Sequence, residues 1–142
     1  MSRNNIIILL IIAVIFAAIV FTLFQKNPAI EKVLISEDAE AVNPHPNAST
    51  SPDTVFSKES QLYAIVFINN ASTDDIINMK WTIKNNGSEE IIQENQLTIK
   101  NDKGSGKIIF SLAKKDNTYT QGNHIVKIIY KQQEIVSEFE IK

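Results

Sequence analysis

INMKWTIKNNGSEEII, residues 77–92, is the segment most informative about the fold, and it holds the only tryptophan of the chain. Apolar residues stand at every second position of its first half: Ile77, Met79, Trp81 and Ile83. Alternation with a period of two predicts a β-strand with one buried face. The Asn86-Gly87 pair after this strand is a strong signal for a tight hairpin turn. We therefore expect Trp81 in the core of a sheet and not on a ligand-binding surface.

Short apolar runs of the same kind recur throughout residues 55–142. QLYAIVFIN, residues 61–69, is apolar on both faces, which is typical of a central strand. EEIIQ and QLTIK look like two short edge strands, NDKGSG like a loop and GKIIFSL like a further strand. HIVKIIYK and EIVSEFEIK indicate a C-terminal hairpin across Gln132-Gln133. Seven or eight strands without a helical period predict an all-β, antiparallel β-sandwich.

Two features of this domain resemble an immunoglobulin-like fold. Trp81 resembles the tryptophan of the third strand, and YTQGNHIVKI, which begins at Tyr119, resembles the approach to the sixth strand. The resemblance implies that His124 stands at the corner tyrosine and Val126 at the second cysteine, with Ile65 or Val66 at the first. Aliphatic side chains would then replace the disulfide. A fold of this kind hosts many functions and implies none in particular.

Residues 6–24, IIILLIIAVIFAAIVFTLF, contain no charged residue. A helix of this length rises about 28 Å, close to the hydrocarbon thickness of a bilayer. No other part of so small a chain could cover such a helix on all sides. The sequence therefore predicts a short tail over residues 1–5 and a transmembrane helix over residues 6–25, in contact with membrane lipid through residues 6–24.

An uncleaved signal-anchor is the favoured interpretation, because a signal peptide has a shorter apolar region that ends in a small-x-small site. A cleaved signal and a prepilin-type segment stay as alternatives. The basic residues flanking the helix, Arg3 before it and Lys26 and Lys32 after it, are nearly balanced. We expect the C-terminal domain outside the cytoplasm, because an anchor at the extreme N-terminus commonly exports the chain that lies C-terminal to it.

Residues 26–54 are predicted to form an acidic, proline-rich stalk. NPAIEKVLISEDAEAV, from Asn27, has the spacing of a short amphipathic helix, and an irregular stalk is an equal alternative. NPHPNASTSPD, from Asn43, is typical of a semi-extended linker. The folded domain is expected to begin at residue 55.

No catalytic, cofactor or metal site is predicted. The chain has no cysteine, and its net charge of -2 argues against a nucleic-acid partner. Glu89 and Glu90 are adjacent on a strand and should face opposite sides. Asp74 and Asp75 are interpreted as solvated loop acids, with a weak cation site as the alternative. His45 lies in the linker without the clustered partners that a metal needs.

Three N-x-[ST] sequences, at Asn47, Asn70 and Asn86, are candidate glycosylation sites in the predicted linker and loops. Glycosylation of these sites depends on the host, and the three sequences by themselves do not indicate a function.

These observations favour a single-pass, membrane-anchored binding or scaffolding module in the cell envelope. It would contact a protein partner or a glycan through a strand edge or through three loops, Asn69–Ile76, Asn101–Lys107 and Lys114–Asn123. The alternatives are a structural subunit of a surface filament or secretion assembly and, after signal cleavage, a secreted domain. An enzyme or metal carrier is the least favoured hypothesis.

Overall fold

The computed structural model describes residues 28–41, 55–100 and 104–142. The predicted tail and transmembrane helix, the linker from Asn43 and the candidate site at Asn47 lie outside these residues. Within the described ranges there is no helix that could span a bilayer.

The described chain is all-β, with eight strands in two sheets. The strands are β1 Ala29–Ser36, β2 Val55–Phe56, β3 Tyr63–Ala71, β4 Ile76–Asn85, β5 Ser88–Thr98, β6 Gly104–Ser111, β7 Gly122–Tyr130 and β8 Gln133–Ile141. One sheet has the order β1-β3-β6 and the other the order β2-β8-β7-β4-β5. The all-β prediction is confirmed, and the two sheets are consistent with a sandwich. The predicted antiparallel pairing holds for every described strand pair except one, because β2 pairs parallel with β8.

The first strand corrects the prediction for the stalk. Residues Ala29–Ser36, expected as a helical turn or irregular chain, pair antiparallel with β3, and Val33 lies opposite Val66. A helix this short would be marginal alone, whereas the neighbouring strand supplies hydrogen bonds along the whole segment. The start of the folded domain at residue 55 was therefore placed too late.

Strand β3 lies between β1 and β6, as expected for a strand that is apolar on both faces. Ala64, Ile65 and Val66 are all completely buried. Val66 belongs to the core shared by the two sheets, whereas Ile65 does not and lies on the other face of its sheet. Of the two residues suggested for the first cysteine position, only Val66 faces the same core as Trp81 and Val126.

The β4–β5 hairpin turns at Asn86-Gly87, as predicted. Both residues have positive φ angles, 49° and 85°, which a tight type I′ turn requires. The two short edge strands predicted after the turn are one strand of 11 residues. The register between β4 and β5 shifts at Trp81 and Thr82, so Ile92 is the extra residue of a β-bulge. The pattern of apolar and polar residues differs before and after the bulge, which is why one strand looks like two in the sequence.

Two smaller boundaries also differ from the predictions. The C-terminal hairpin turns at Lys131-Gln132, one residue early, because Tyr130 pairs with Gln133 and Lys131 adopts a φ of 53°. The segment Gly104–Gly106, expected as part of a loop, begins β6 and pairs with the end of β3. The register along β3 holds these glycines in the sheet although glycine itself disfavours a strand.

Candidate functional site

Trp81 is enclosed in the core. It is 1% exposed, lies directly opposite Val126 of β7, and meets the ring of Tyr119 edge-on with 5.4 Å between ring centroids. Its indole Nε1–H donates a hydrogen bond to Nδ1 of His124 at 3.0 Å. A ligand on the protein surface therefore has no access to this tryptophan.

His124 is completely buried on β7 and uses both ring nitrogens. Since Nδ1 accepts from Trp81, Nε2 carries the proton and donates to the carbonyl oxygen of Thr120 at 2.7 Å. The His124 side chain thus makes a hydrogen bond to the backbone four residues upstream. Burial lowers the pKa of His124, so the imidazole is neutral at physiological pH.

Tyr119 fixes the connection between β6 and β7. Its hydroxyl donates to the carbonyl oxygen of Leu112 and accepts from the amide of Leu62, both at 2.9 Å. Burial raises the pKa of this phenol. The predicted binding loop Lys114–Asn123 is therefore tied to the start of β3.

Asp75 corrects the expectation of a solvated loop acid. Its Oδ2 accepts hydrogen bonds from the Tyr130 hydroxyl at 2.5 Å and from the Ser72 amide at 2.9 Å, and it pairs with Lys131 at 3.1 Å. The Tyr130 and Ser72 hydrogen bonds hold the pKa of Asp75 below its usual range. Burial and the nearby carboxylate raise the pKa of Tyr130. Asp75 fastens the β3–β4 loop to the β7–β8 hairpin.

Asp74 is exposed and does not share this network. Among residues 28–41, 55–100 and 104–142, no three His, Asp or Glu side chains lie close enough to hold a metal ion. Glu89 and Glu90 are both exposed and lie opposite Lys84 and Ile83, respectively, on β4. The geometry thus offers no shared reaction centre for the carboxylate pairs.

The two described glycosylation sequences lie in different settings. Asn86 is exposed in the β4–β5 turn, whereas Asn70 is half-buried within β3 and has a φ of 55°. Asn86 is therefore the more accessible of the two.

The structure brings two of the three predicted loops together. Ala71, at the end of β3, pairs with Gly104, at the start of β6, so the loop Asn69–Ile76 and the part of Asn101–Lys107 from Gly104 onward share one end of the molecule. Lys114–Asn123 follows the other end of β6. Residues 101–103 lie outside the described ranges.

A groove of about 670 Å³ opens between β5 and β6 at this shared end. It is lined by Ile68, Ala71, Gln96, Leu97, Thr98, Ile99, Lys100, Gly104, Ser105, Gly106, Lys107 and Ile108. Strand β6 has its inward side chains at even positions, as buried Phe110 shows, and two of these positions are glycines. A Cβ atom at Gly106 would meet nothing within 4 Å. The groove lies where two inward positions of β6, Gly104 and Gly106, carry no side chain.

The backbone of β6 is open on the side that faces the groove. The amide of Leu112 donates to Leu62, so even-numbered residues of this strand bond toward β3. The carbonyl of Ser111 and the amide of Ala113 point the other way, where both bind the side chain of Gln93. By the same alternation, Ser105, Lys107 and Ile109 direct their backbone groups outward, and no described strand pairs with them.

The other sheet edges are protected. Strand β2 has two residues. Strands β1 and β5 each contain a register shift, and both carry charged side chains. Bulges, short length and charge are the usual devices that prevent strand addition. The ladder of β6 with β3 also has a register shift, but its extra residue, Asn70, lies on β3 and not on β6. The ammonium of the one charged residue of β6, Lys107, binds Ala39 and Glu40 at 3.1 Å.

Sequence reasoning did not find this site. The sequence patterns assign NDKGSG to a loop and GKIIFSL to a strand, so they miss that Gly104 and Gly106 share a face with Ile108 and Phe110. The signal that was available is the spacing of two glycines at every second position before an apolar run.

No family model and no curated protein matches the sequence. Two crystal structures of a β-glucosidase from Listeria innocua, one in complex with glucose, are similar at 12% identity with a TM-score of 0.41. Each match covers 78% of this chain and 16% of the β-glucosidase chain. A likeness this distant says nothing about activity.

Proposed function

We propose that the chain is a single-pass, membrane-anchored recognition module whose immunoglobulin-like β-sandwich lies outside the cytoplasm and binds a protein in the cell envelope. The apolar run over residues 6–24 supports the anchor. The observation that carries the recognition role is the open edge of β6 beside the groove. An unpaired, unprotected edge is a ready template for pairing with another chain.

The order of the strands supports the immunoglobulin-like assignment. In such sandwiches one sheet runs A-B-E-D and the other contains C, F and G. Equating β1, β3 and β6 with A, B and E, and β4, β7 and β8 with C, F and G, reproduces both neighbour orders. Trp81 then lies on strand C and His124 on strand F. No described strand occupies the place of D, next to β6.

Recognition of a protein is tested by photo-crosslinking of the full chain in its native membranes. A photoreactive residue is placed at Ile109 on the open edge, or at Ile76 or Lys115 in the predicted loops. Val136, 46% exposed on β8, is the matched control. We expect a crosslink to another protein from at least one of the first three positions and none from Val136. Equal labelling from all four positions contradicts a specific recognition surface.

Two further outcomes test the role of the module and the side of the membrane on which it lies. Crosslinks only between copies of the chain would replace the recognition role by a structural subunit of an assembly. Protease added to protoplasts should digest residues 55–142, and protection of this region would show that the domain faces the cytoplasm.

A further inference from the structure

We infer that the folded domain rests directly on the bilayer that holds its anchor, and that one end of the domain, formed by residues 72–76, 98–100 and 131–132, lies against the lipid headgroups. These residues are called the anchor end below. The inference rests on the proposed membrane anchor and names the lipid surface as a partner of the domain. In this orientation Lys114–Asn123 is the predicted binding loop that faces away from the bilayer.

The connection between the apolar run and the first strand is very short. The run ends at Phe24 and β1 begins at Ala29, so only residues 25–28 separate them. Even a fully extended chain spans no more than about 18 Å from Phe24 to Ala29. The headgroup layer takes up roughly 5–8 Å of this reach, which leaves Ala29 no more than about 13 Å above the lipid surface.

The proline-rich linker adds nothing to this distance, because it follows β1 in the sequence. It lies between the strands Ala29–Ser36 and Val55–Phe56, so residues 42–54 connect two strands of one domain. A stalk over residues 26–54 would have let the domain move far from the bilayer. The pairing of β1 with β3 leaves only residues 25–28 for that purpose.

Ala29 lies at one end of both sheets. It pairs with Asn69 of β3, which pairs in turn with Ser105 of β6. The amide of Ile30 donates a hydrogen bond to the side-chain oxygen of Gln133 at 2.7 Å, which joins the start of β1 to the start of β8. The loops beside Ala29 therefore belong to the same end of the domain.

The loops of the anchor end are tied to one another. The amide of Asp74 donates to the carbonyl of Ile99, and the amide of Ile99 donates to the carbonyl of Asp75, both at 2.8 Å. Oδ2 of Asp75 also binds the Tyr130 hydroxyl and the Lys131 ammonium. The β3–β4 loop, the end of β5 and the β7–β8 turn therefore form one surface.

The side chains of the anchor end suit a headgroup layer. Its exposed residues include Ser72, Asp74, Ile76, Lys100, Lys131 and Gln132. The two lysines balance the carboxylates of Asp74 and Asp75, as the two charges of a zwitterionic headgroup balance each other. Ile76 is 45% exposed, and burial of an apolar side chain at the boundary between headgroups and acyl chains is favourable.

The sheet faces suit the lipid surface less well. The outer face of the larger sheet carries five of the six glutamates of β5 and β8, against the three lysines of β4 and β7. This excess of negative charge is repelled by lipid phosphates. The outer face of the smaller sheet is crossed by the chain at Ala39 and Glu40, both of which bind the Lys107 ammonium.

The opposite end of the domain provides matched control positions. Val55, 46% exposed, pairs with Glu140 near the end of β8, and Ser88 follows the turn after β4. Their counterparts at the anchor end are Ile76, 45% exposed, and Ser72. Strand β1 has eight residues, about 26 Å at the rise of a strand, so the two ends differ by roughly that distance from the bilayer.

The test measures how close single labelled cysteines lie to the lipid surface, with the full chain in nanodiscs of zwitterionic lipid. The chain has no cysteine, so Ser72→Cys, Ile76→Cys, Ser88→Cys and Val55→Cys each carry one fluorophore. Some of the lipids carry a short-range quencher on the headgroup. We expect quenching at positions 72 and 76 to be at least about threefold stronger than at positions 88 and 55, because the two ends lie at different heights.

A longer connection is the control for reach. Twelve glycine and serine residues inserted after Lys26 have an r.m.s. span of about 19 Å, so quenching at position 72 should fall at least about twofold. Unchanged quenching would contradict a position set by the short connection. Cooperative unfolding followed by the fluorescence of Trp81 shows that each labelled variant is folded.

Equal quenching at the two ends overturns the inference, and so does stronger quenching at positions 88 and 55. Alkaline extraction of native membranes separates this failure from failure of the anchor. If the chain stays in the membrane pellet but positions 72 and 76 are not quenched, the anchor of the proposed function stands and the inference is wrong. If alkali releases the chain from the membrane, the proposed anchor itself fails, and the inference fails with it.

Discussion

The indole of Trp81 donates a hydrogen bond to Nδ1 of His124, and both side chains are buried on neighbouring strands of one sheet. His124 in turn donates from Nε2 to the carbonyl of Thr120. This arrangement fixes one neutral tautomer, because a proton on Nδ1 would face the indole N–H. The centre of the fold is thus sensitive to protonation of a single imidazole.

Stability should fall in mild acid because of His124. Its pKa is lowered in the folded chain, so the unfolded chain takes up a proton first as the pH drops below the ordinary value of 6.5. The contribution of the neutral imidazole to the free energy of unfolding is complete above that value, and it is lost as the pH falls toward the folded-state pKa. Urea unfolding between about pH 7.5 and pH 5 measures the loss.

His124→Phe is the control for this titration. The variant is expected to be less stable at every pH, since it leaves the indole N–H without its acceptor, but the decline between about pH 6.5 and pH 5 should flatten. A decline of equal steepness in the wild type and in His124→Phe would contradict a role of this imidazole in the acid sensitivity.

Replacing Trp81 by phenylalanine should destabilise the domain by about 1–3 kcal/mol beyond the packing loss, because Nδ1 of His124 is left buried without a donor. Trp81→Ala should cost about 3–5 kcal/mol and unfold a marginal domain. Circular dichroism during urea unfolding checks both variants. A folded Trp81→Ala domain of nearly unchanged stability that had lost partner binding would show that this tryptophan serves recognition.

Asp75 and Tyr130 should behave as a coupled pair. Asp75→Asn is expected to cost about 1–3 kcal/mol, because the carboxylate accepts from Tyr130 and Ser72 and pairs with Lys131. A double-mutant cycle with Tyr130→Phe measures the coupling, and additive losses would contradict the hydrogen bond. Since the folded-state pKa of Asp75 is lowered, its contribution is present above the ordinary value of 3.8 and is lost as the pH falls below that value.

Two glycines should respond in opposite directions to alanine. Gly106→Ala places its Cβ in open space and should stabilise the chain by about 0.4–1 kcal/mol, through the unfolded state. Gly87→Ala should destabilise it by about 1–2 kcal/mol, since the turn holds this residue at a φ of 85°. The melting temperatures of the two variants are compared by thermal unfolding. A loss of stability in Gly106→Ala would show that other atoms of the protein occupy the space beside Gly106.

Local patterns predicted the strands well where one alternation ran unbroken, as from Ile77 to Ile83, and where a turn demanded particular residues, as at Asn86-Gly87. They failed where partners distant in sequence decide the structure. The run around Val33 became a strand because β3 lies beside it. Asp75 is bound because Tyr130, 55 residues away, reaches its carboxylate. The groove lies between Gly104 and Gly106 of β6 and the end of β5, and only the packing of the two sheets brings these strands side by side.

The proposed recognition role depends on the open edge of β6, and residue-resolved amide hydrogen exchange of the free chain is the sharpest test of that edge. We expect an alternation along the strand, with fast exchange at Ser105, Lys107 and Ile109 and slow exchange at Ile108 and Phe110, whose amides bond to β3. Equal, strong protection of all five amides would contradict an open edge, because the outward-facing groups of β6 would then already be paired.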